Sequence, residues 1–330
     1  MSNNITIIGL GEIGSSLAMA FKKQENVFTV TGSDFLKSAE RRAEENHRTD
    51  RIEHNLFSAA EDADVVILAI PADQTKKVLE LIGHDLKKDT VVLDFCPNKK
   101  AASGWAKQFL AQPDHFLGVW AGINPDHLSE PREGGKSARE DLFKGGTMFI
   151  ASEVKTSETA IKLAIGLADM LEMECAFTEP IELDSMIAAG WQLPYLASHA
   201  LLNCVTNRSS WNDGKKAAEK TFHGVTAPVS LPMDREEIGS ALLNNREHTV
   251  RLLNEYIEAL KAFRDALQTK DEAALRTLLE EDEKALDRWL QDCRQTNLSS
   301  GNSPSVPIPT ASEGFAQTFF GGLLRKKMRG

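Results

Sequence analysis

At 330 residues, with 42% hydrophobic and 26% charged side chains, the chain has the make-up of a soluble globular protein with room for two cores, because single cores stop growing near ~250–300 residues. Its formal net charge of −10 argues against a nucleic-acid partner, which would require a concentrated basic face. Cys96, Cys175, Cys204 and Cys293 are scattered without a C-x-x-C pair, so neither a disulfide framework nor a metal site is expected and a reducing cytoplasm fits.

Residues 5–8 are an apolar run that breaks into Gly9-Leu10-Gly11-Glu12-Ile13-Gly14 and resumes with helical periodicity, which predicts strand, tight turn and helix. In a dinucleotide-binding βα unit Gly9 permits the turn, Gly11 lets the backbone approach a pyrophosphate, and Gly14 lets helix and strand pack closely. A second strand at 28–32 ends at Ser33-Asp34, and Asp34 follows Gly14 by 20 residues. An acidic residue there accepts hydrogen bonds from the adenosine ribose and favours NAD. Its competing role is a turn or helix cap, and Arg41 and Arg42 on the next helix keep a 2′-phosphate, hence NADP, as the alternative. The first strand starts too near the N-terminus for a signal peptide, and no apolar run reaches the ~18 residues of a membrane span.

Residues 63–71 form a continuous apolar run of the kind that a strand covered on both faces requires. Pro71 stops it at the carboxyl edge, where open α/β sheets bind ligands, so Ala69, Ile70 and Pro71 are expected at the cofactor. A helix to about residue 86 leads to a strand at 90–95 ending in Cys96-Pro97-Asn98-Lys99. Residues 116–122 read as a strand, 124–139 as a long polar binding loop, 146–151 as a strand, 158–171 as a helix and 174–177 as an edge strand. Beyond residue 180 strand signals vanish. Residues 183–205 read as one buried helix, and 236–266 with 271–293 as an antiparallel helical hairpin about Thr269-Lys270-Asp271. The reading is an α/β chain: a Rossmann-type, doubly wound, mostly parallel sheet over residues 1–180, an all-helical substrate and dimerisation domain over 181–296, and a flexible tail over 297–330. A homodimer through the helical domain is expected, with a small-molecule substrate and no membrane partner.

Several of these segments together resemble the prephenate/arogenate dehydrogenase family, over roughly residues 5–292. The family's G-L-G-x-I-G-x-S-L-A opening is matched by residues 9–18, its D-x-V-x-L-A-x-P strand by 64–71, and its D-L-F by Asp141-Leu142-Phe143. Its H-D-x-x-x-A and S-H-L-P-H runs are echoed by residues 183–188 and by Trp191-Gln192-Leu193-Pro194-Tyr195, and its L-L-x-N-R by residues 242–246. The resemblance implies NAD(P)-dependent hydride transfer in tyrosine biosynthesis, with a histidine from a G-G-H-P-M-A-G segment removing the hydroxyl proton of prephenate as the ring loses carbon dioxide.

The matching stretch here, residues 117–122, holds no histidine. Pro97 stands for a family serine, Gln192 and Tyr195 for two histidines, and Ala227 for a carboxylate-binding arginine. These replacements point to a changed substrate or a lost activity. The alternatives to a dehydrogenase are an imine or ketone reductase of the same fold, or a non-catalytic NAD-binding regulator. Position then selects Lys99, His127 and His199 as candidate catalytic groups. The cofactor candidates are Gly9, Leu10, Gly11, Glu12, Ile13, Gly14, Asp34, Ala69, Ile70, Pro71 and Asp94. Pro97, Asn98, Trp120, Asn124, Trp191, Gln192 and Tyr195 are the substrate candidates.

Overall fold

Alternation along the central strands determines the architecture. In β1 (Asn3–Ile8), β4 (Val65–Leu68) and β5 (Val91–Asp94), successive side chains enter different cores, because strand side chains alternate between faces. Ile5, Ile7, Val65, Ile67, Val91 and Leu93 pack on one face, whereas Ile8, Val66, Leu68 and Val92 pack on the other. A computed structural model of the protein describes residues 3–296 except 25, 26, 131 and 232; the expected tail at 297–330 lies outside the described residues.

With β2 (Phe28–Ser33), β3 (Arg51–Ile52), β6 (Phe116–Ala121), β7 (Thr147–Ala151) and β8 (Glu174–Thr178), these strands make one sheet in the order β3-β2-β1-β4-β5-β6-β7-β8. All neighbours are parallel except β6 and β7. Helices α1 (Glu12–Lys22), α2 (Lys37–Glu45), α3 (Leu56–Ala60), α4 (Ala72–Ile82), α5 (Lys99–Phe109) and α6 (Glu158–Met170) connect them. Leu17 and Phe21 of α1 with Leu163 and Leu167 of α6 cover one face; Val78, Leu79 and Ile82 of α4 with Ala102 and Ala106 of α5 cover the other. The expected mostly parallel, doubly wound sheet is present, followed by helices. The short β3 and α3 were not read from the sequence, being too brief to show a period.

The C-terminal helices correct two expectations. Residues 183–205 lie in one continuous helical run, α7 (Pro180–Ile187), a π turn (Ala188–Gln192) and α8 (Leu193–Thr206), but it is not buried all round. The buried positions there are Leu183, Asp184, Ile187, Ala188, Gln192, Tyr195 and Ser198, a single stripe, while His199, Ala200, Asn203 and Cys204 are exposed. After α9 (Trp211–Gly214) and α10 (Lys220–Thr226), the expected 236–266 helix breaks at Asn245 into α11 (Arg235–Asn244) and α12 (Arg246–Thr269). The break frees the Asn245 side chain to bond the Asp184 carbonyl at 2.8 Å and Gln192 Oε1 at 3.0 Å.

The hairpin is as expected: Lys270 turns the chain in a left-handed conformation (φ 55°) into α13 (Glu272–Thr296). Ile257, Leu260 and Leu267 on α12 and Leu279, Leu286 and Trp289 on α13 are each at least 46% exposed. No helix among the described residues is long and apolar enough to cross a membrane.

Candidate functional site

Gly9 leaves β1 with φ 99°, and its amide donates to the Ser33 carbonyl at 2.8 Å, joining the turn to the end of β2. An ideal Cβ at Gly9 would lie 2.4 Å from the Ala69 carbonyl oxygen, and one at Gly14 would lie 1.8 Å from the Gly9 carbonyl oxygen. These two glycines are therefore required by packing. Gly11 differs: a Cβ there would meet nothing within 4 Å. It caps α1, so the unpaired amides of that helix border open space, the arrangement that binds anions.

Asp34 closes this corner. Its Oδ2 accepts from the Leu10 amide at 2.6 Å and its Oδ1 from the Leu36 amide at 2.7 Å. Burial raises its carboxyl above the ordinary range, opposed by those two bonds. Each oxygen retains a lone pair for a further donor. The structure thus brings Gly9, Leu10, Gly11, Glu12, Gly14, Asp34 and Ala69 together at the carboxyl edge, with Pro71 at the start of α4, while Ile13 packs against one core and Ile70 belongs to the other. Arg42 also reaches this corner, its guanidinium 2.8 Å from a Cβ built at Gly135.

Asp94 and Lys99 lie beneath the carboxyl edge, both with fully buried side chains. Lys99 Nζ donates to the Asp94 carbonyl at 2.7 Å and stands 3.5 Å from Asp94 Oδ2, while Thr75 Oγ1 lies 3.3 Å from Asp94 Oδ1. Gly118 on β6 makes room for the lysine stem, since a Cβ there would meet Lys99 Cδ at 2.9 Å. The beginning of α5 is capped from the helical region: Asp184 Oδ1 and Oδ2 accept from the amides of Lys99 and Lys100 at 2.6 and 3.0 Å. Burial raises the Asp184 carboxyl, partly offset by these bonds.

The substrate candidates divide. Asn98 Nδ2 and Gln192 Nε2 both donate to the Ala241 carbonyl, at 2.9 and 3.2 Å, and Gln192 Oε1 accepts from Asn245 and Thr249. All of Gln192's hydrogen-bonding atoms are engaged inside a helix joint, whereas Asn98 Oδ1 is buried without a partner. Trp120 and Trp191 pack partly buried with Phe149, Leu183 and Ile187 in an apolar cluster between sheet and helices. Pro97 is half-buried at the end of β5. Tyr195 is brought against His199, ring centres 4.6 Å apart, with the histidine on the exposed side of α8. The buried position expected for His199 is therefore corrected by the single-sided burial of α8.

Asn124 is buried at the start of the long loop, where its side chain accepts from the Asp126 amide at 3.0 Å. His127 is clamped: Nδ1 lies 3.2 Å from Glu130 Oε1, and Nε2 lies 3.2 Å from Asp141 Oδ2. Both ring nitrogens face carboxylates, so neither is free to meet a substrate hydroxyl without giving up one of these partners. Arg139 completes this network, bonding Asp141 at 2.7 Å and Glu130 at 2.6 Å. Sequence reading did not anticipate the onward course of this loop along α1; the adjacent Gly134-Gly135 pair was the signal of a close approach.

Acidic groups also gather where α11 packs on α4. Glu237 on α11 accepts from Gln74 Nε2 at 2.9 Å. Burial chiefly raises its carboxyl, the Asp234 amide opposes this, and the charges of Asp234, Asp73 and Asp34 add to it. Folding therefore takes up protons between the ordinary carboxyl pKa and the raised folded value, so this group's contribution to stability falls as pH rises through that window and stays lower above it. Glu237→Gln is expected to raise the melting temperature at pH 8, with the gain vanishing below about pH 4, the ordinary glutamate range. Parallel melting curves from pH 4 to 8 check this; an equal offset throughout would contradict it.

Comparison with known proteins agrees with this geometry. Residues 4–98 match the family described as NADP oxidoreductase, coenzyme F420-dependent. Prephenate dehydrogenase of Bacillus subtilis is 23% identical over 275 residues, 82% of this chain and 72% of that protein. Cyclohexadienyl dehydrogenase of Zymomonas mobilis is 25% identical over 287 residues, 86% of this chain and 94% of that protein. In fold, the protein resembles the crystal structure of prephenate dehydrogenase from A. aeolicus in complex with hydroxyphenyl propionate and NAD+, with a TM-score of 0.77 and 17% identity, covering 87% of this chain and 98% of that one. Along most of its length the chain is therefore similar to prephenate and cyclohexadienyl dehydrogenases, and its glycine turn and Asp34 corner fit that similarity.

Proposed function

We propose that the protein is an NAD-dependent dehydrogenase that takes a hydride from a small, cyclic hydroxy or amino acid, with prephenate and arogenate the first substrates to test in a role in tyrosine biosynthesis. The observation that carries this reading is the glycine turn, in which Gly9 and Gly14 are held by backbone contacts while Gly11 alone faces open space. Here the α1 amides hold the cofactor's diphosphate and Asp34 accepts from its adenosine ribose. The cofactor, when bound, supplies the hydride acceptor; the chain supplies its orientation and a half-buried mouth. The enzyme is read as cytoplasmic.

Growth of reduced-nicotinamide absorbance at about 340 nm, on adding prephenate or arogenate with NAD, is the expected result. Three observations favour a second reading, a dinucleotide-binding regulator: Lys99 is bound to Asp94, His127 stands between two carboxylates, and His199 lies on an exposed helix face. Tight NADH binding without turnover of either acid, or of ketones and imines in reverse, would decide for it.

The protein is further read as a homodimer through its helical region. The exposed leucines of α12 and α13 support this, since contiguous apolar surface on a soluble helix pair is normally covered by a partner. Light scattering is expected to give twice the 36.3 kDa chain mass, and Leu260→Glu with Leu267→Glu to return it to one; a wild-type monomer at micromolar concentration would refute the dimer.

A further inference from the structure

Residues 132–139 lie as a strap along the start of α1 and the end of α2. Arg132 Nε donates to Glu12 Oε2 at 2.5 Å, Arg48 Nη1 to the Gly135 carbonyl at 2.7 Å, and the Arg139 amide to Ser16 Oγ at 3.0 Å. Gly135 is fitted so closely that an added Cβ would come within 3.2 Å of the Leu10 carbonyl oxygen and 2.8 Å of Arg42. The strap thus touches Leu10 and Glu12, the two residues flanking the open Gly11.

Glu12 is an unexpected occupant of that position. It sits in the first turn of α1, where the helix dipole favours an anion, and its side chain is only 9% exposed. Without compensation it is a resident negative charge at the end of the helix proposed to receive a diphosphate. Like charges a few ångströms apart in a half-buried setting repel strongly. Arg132 is the cation within ion-pair distance of it among the described residues, and its own side chain is 41% exposed. The other acidic group at this corner, Asp34, already accepts from two backbone amides.

Resting on the dinucleotide reading above, we propose that Arg132 is a positioning residue for the cofactor: by holding and neutralising Glu12 it keeps the amide end of α1 receptive to a diphosphate. The inference explains why a long surface loop returns to the glycine turn at all. It also gives Gly135 a purpose, since a Cβ there would press to 3.2 Å of the Leu10 carbonyl oxygen and displace the Arg42 guanidinium.

The test compares wild type, Arg132→Gln, Arg132→Lys, Glu12→Gln and the double variant Glu12→Gln/Arg132→Gln, titrated with NADH by fluorescence and with ADP by calorimetry. ADP carries the diphosphate without the nicotinamide, so a loss common to both ligands reports on the diphosphate. Arg132→Gln is expected to weaken both about tenfold at low salt and by less at about 1 M salt, where exposed charges are screened. Arg132→Lys is expected to stay within about threefold of wild type because it keeps the charge, and the double variant to recover to the level of Glu12→Gln. Wild-type affinity in Arg132→Gln, or a double variant as weak as Arg132→Gln, overturns the proposal. Failure of wild type to bind either ligand would instead overturn the dinucleotide reading, and melting curves separate any loss of fold from loss of binding.

Discussion

Gly14→Val is expected to yield protein that is largely unfolded or insoluble, whereas Gly11→Val is expected to fold normally and lose NADH binding by about 100-fold or more, near 2.7 kcal/mol. The two positions are three residues apart on one turn, yet their surroundings are opposite. A Cβ at Gly14 would sit 1.8 Å from the Gly9 carbonyl oxygen and 3.2 Å from Ala69 Cβ. Relief of the first contact requires α1 to move off β1, opening the core formed by Leu17, Phe21, Ile5 and Ile7. Overpacking of backbone against backbone costs about 3 kcal/mol or more. At Gly11 the added side chain enters open space with an ordinary φ of −68°, so the melting temperature should stay within a few degrees. Melting curves and NADH titrations of the two variants check the contrast; normal NADH affinity in Gly11→Val would remove the diphosphate from this turn.

Lys99→Met is expected to lower unfolding free energy by about 3–5 kcal/mol, because it leaves Asp94 as an unpaired charge in the interior. The pair is completely buried, Lys99 Nζ lying 3.5 Å from Asp94 Oδ2 and 2.7 Å from the Asp94 carbonyl oxygen. Among the described residues Asp94 Oδ2 has no hydrogen-bond partner, and Lys99 Nζ at 3.5 Å is the cation paired with it. Adding Asp94→Asn to Lys99→Met is therefore expected to recover most of the loss, as removal of both charges is far cheaper than removal of one. Urea unfolding of the two single variants and the double variant measures the coupling. Additive losses would mean that the two side chains are not a charge pair. The same burial bears on chemistry: a lysine whose ammonium is committed beneath the sheet edge acts on the site by shaping it, through Gly118 and the start of α5.

Much of the first half was legible because its signals are short in range. Three glycines at fixed spacing carry a steric statement that needs no tertiary information, and the apolar run at 63–71 identifies a strand covered on both faces whatever covers it. The place of Asp34 beside the glycine turn, where it accepts from the Leu10 amide, was legible for the same reason of spacing. The helical half was less so. The near-uniform apolar composition of 183–205 does not say which side meets its own chain, and α8 turned out to bury only one stripe. A π turn at Ala188–Gln192 leaves no mark on a periodicity count. Nor does composition foretell that Asn245 breaks a helix, because its reason, bonds to Asp184 and Gln192, lies 61 and 53 residues away. The family-like runs at 183–188 and 242–246 meet in this joint through the bond from Asn245 to the Asp184 carbonyl.

The antiparallel pairing of β6 with β7 has an evolutionary consequence. Trp120 faces Phe149 and Ala121 faces Met148 across it, the Gly122 amide donates to the Thr147 carbonyl at 2.9 Å, and the Asn124 amide to the Leu142 carbonyl at 2.6 Å. The excursion between them leaves and re-enters the sheet at neighbouring points. Its length can therefore change by insertion or deletion without shifting the register of either strand, and doubling such a loop costs only about 0.6 kcal/mol in closure entropy. Descent can thus lengthen, shorten or recharge the segment that reaches the glycine turn while the sheet beneath is inherited intact. The most changeable stretch of the chain is, by this topology, the one that borders its most constrained.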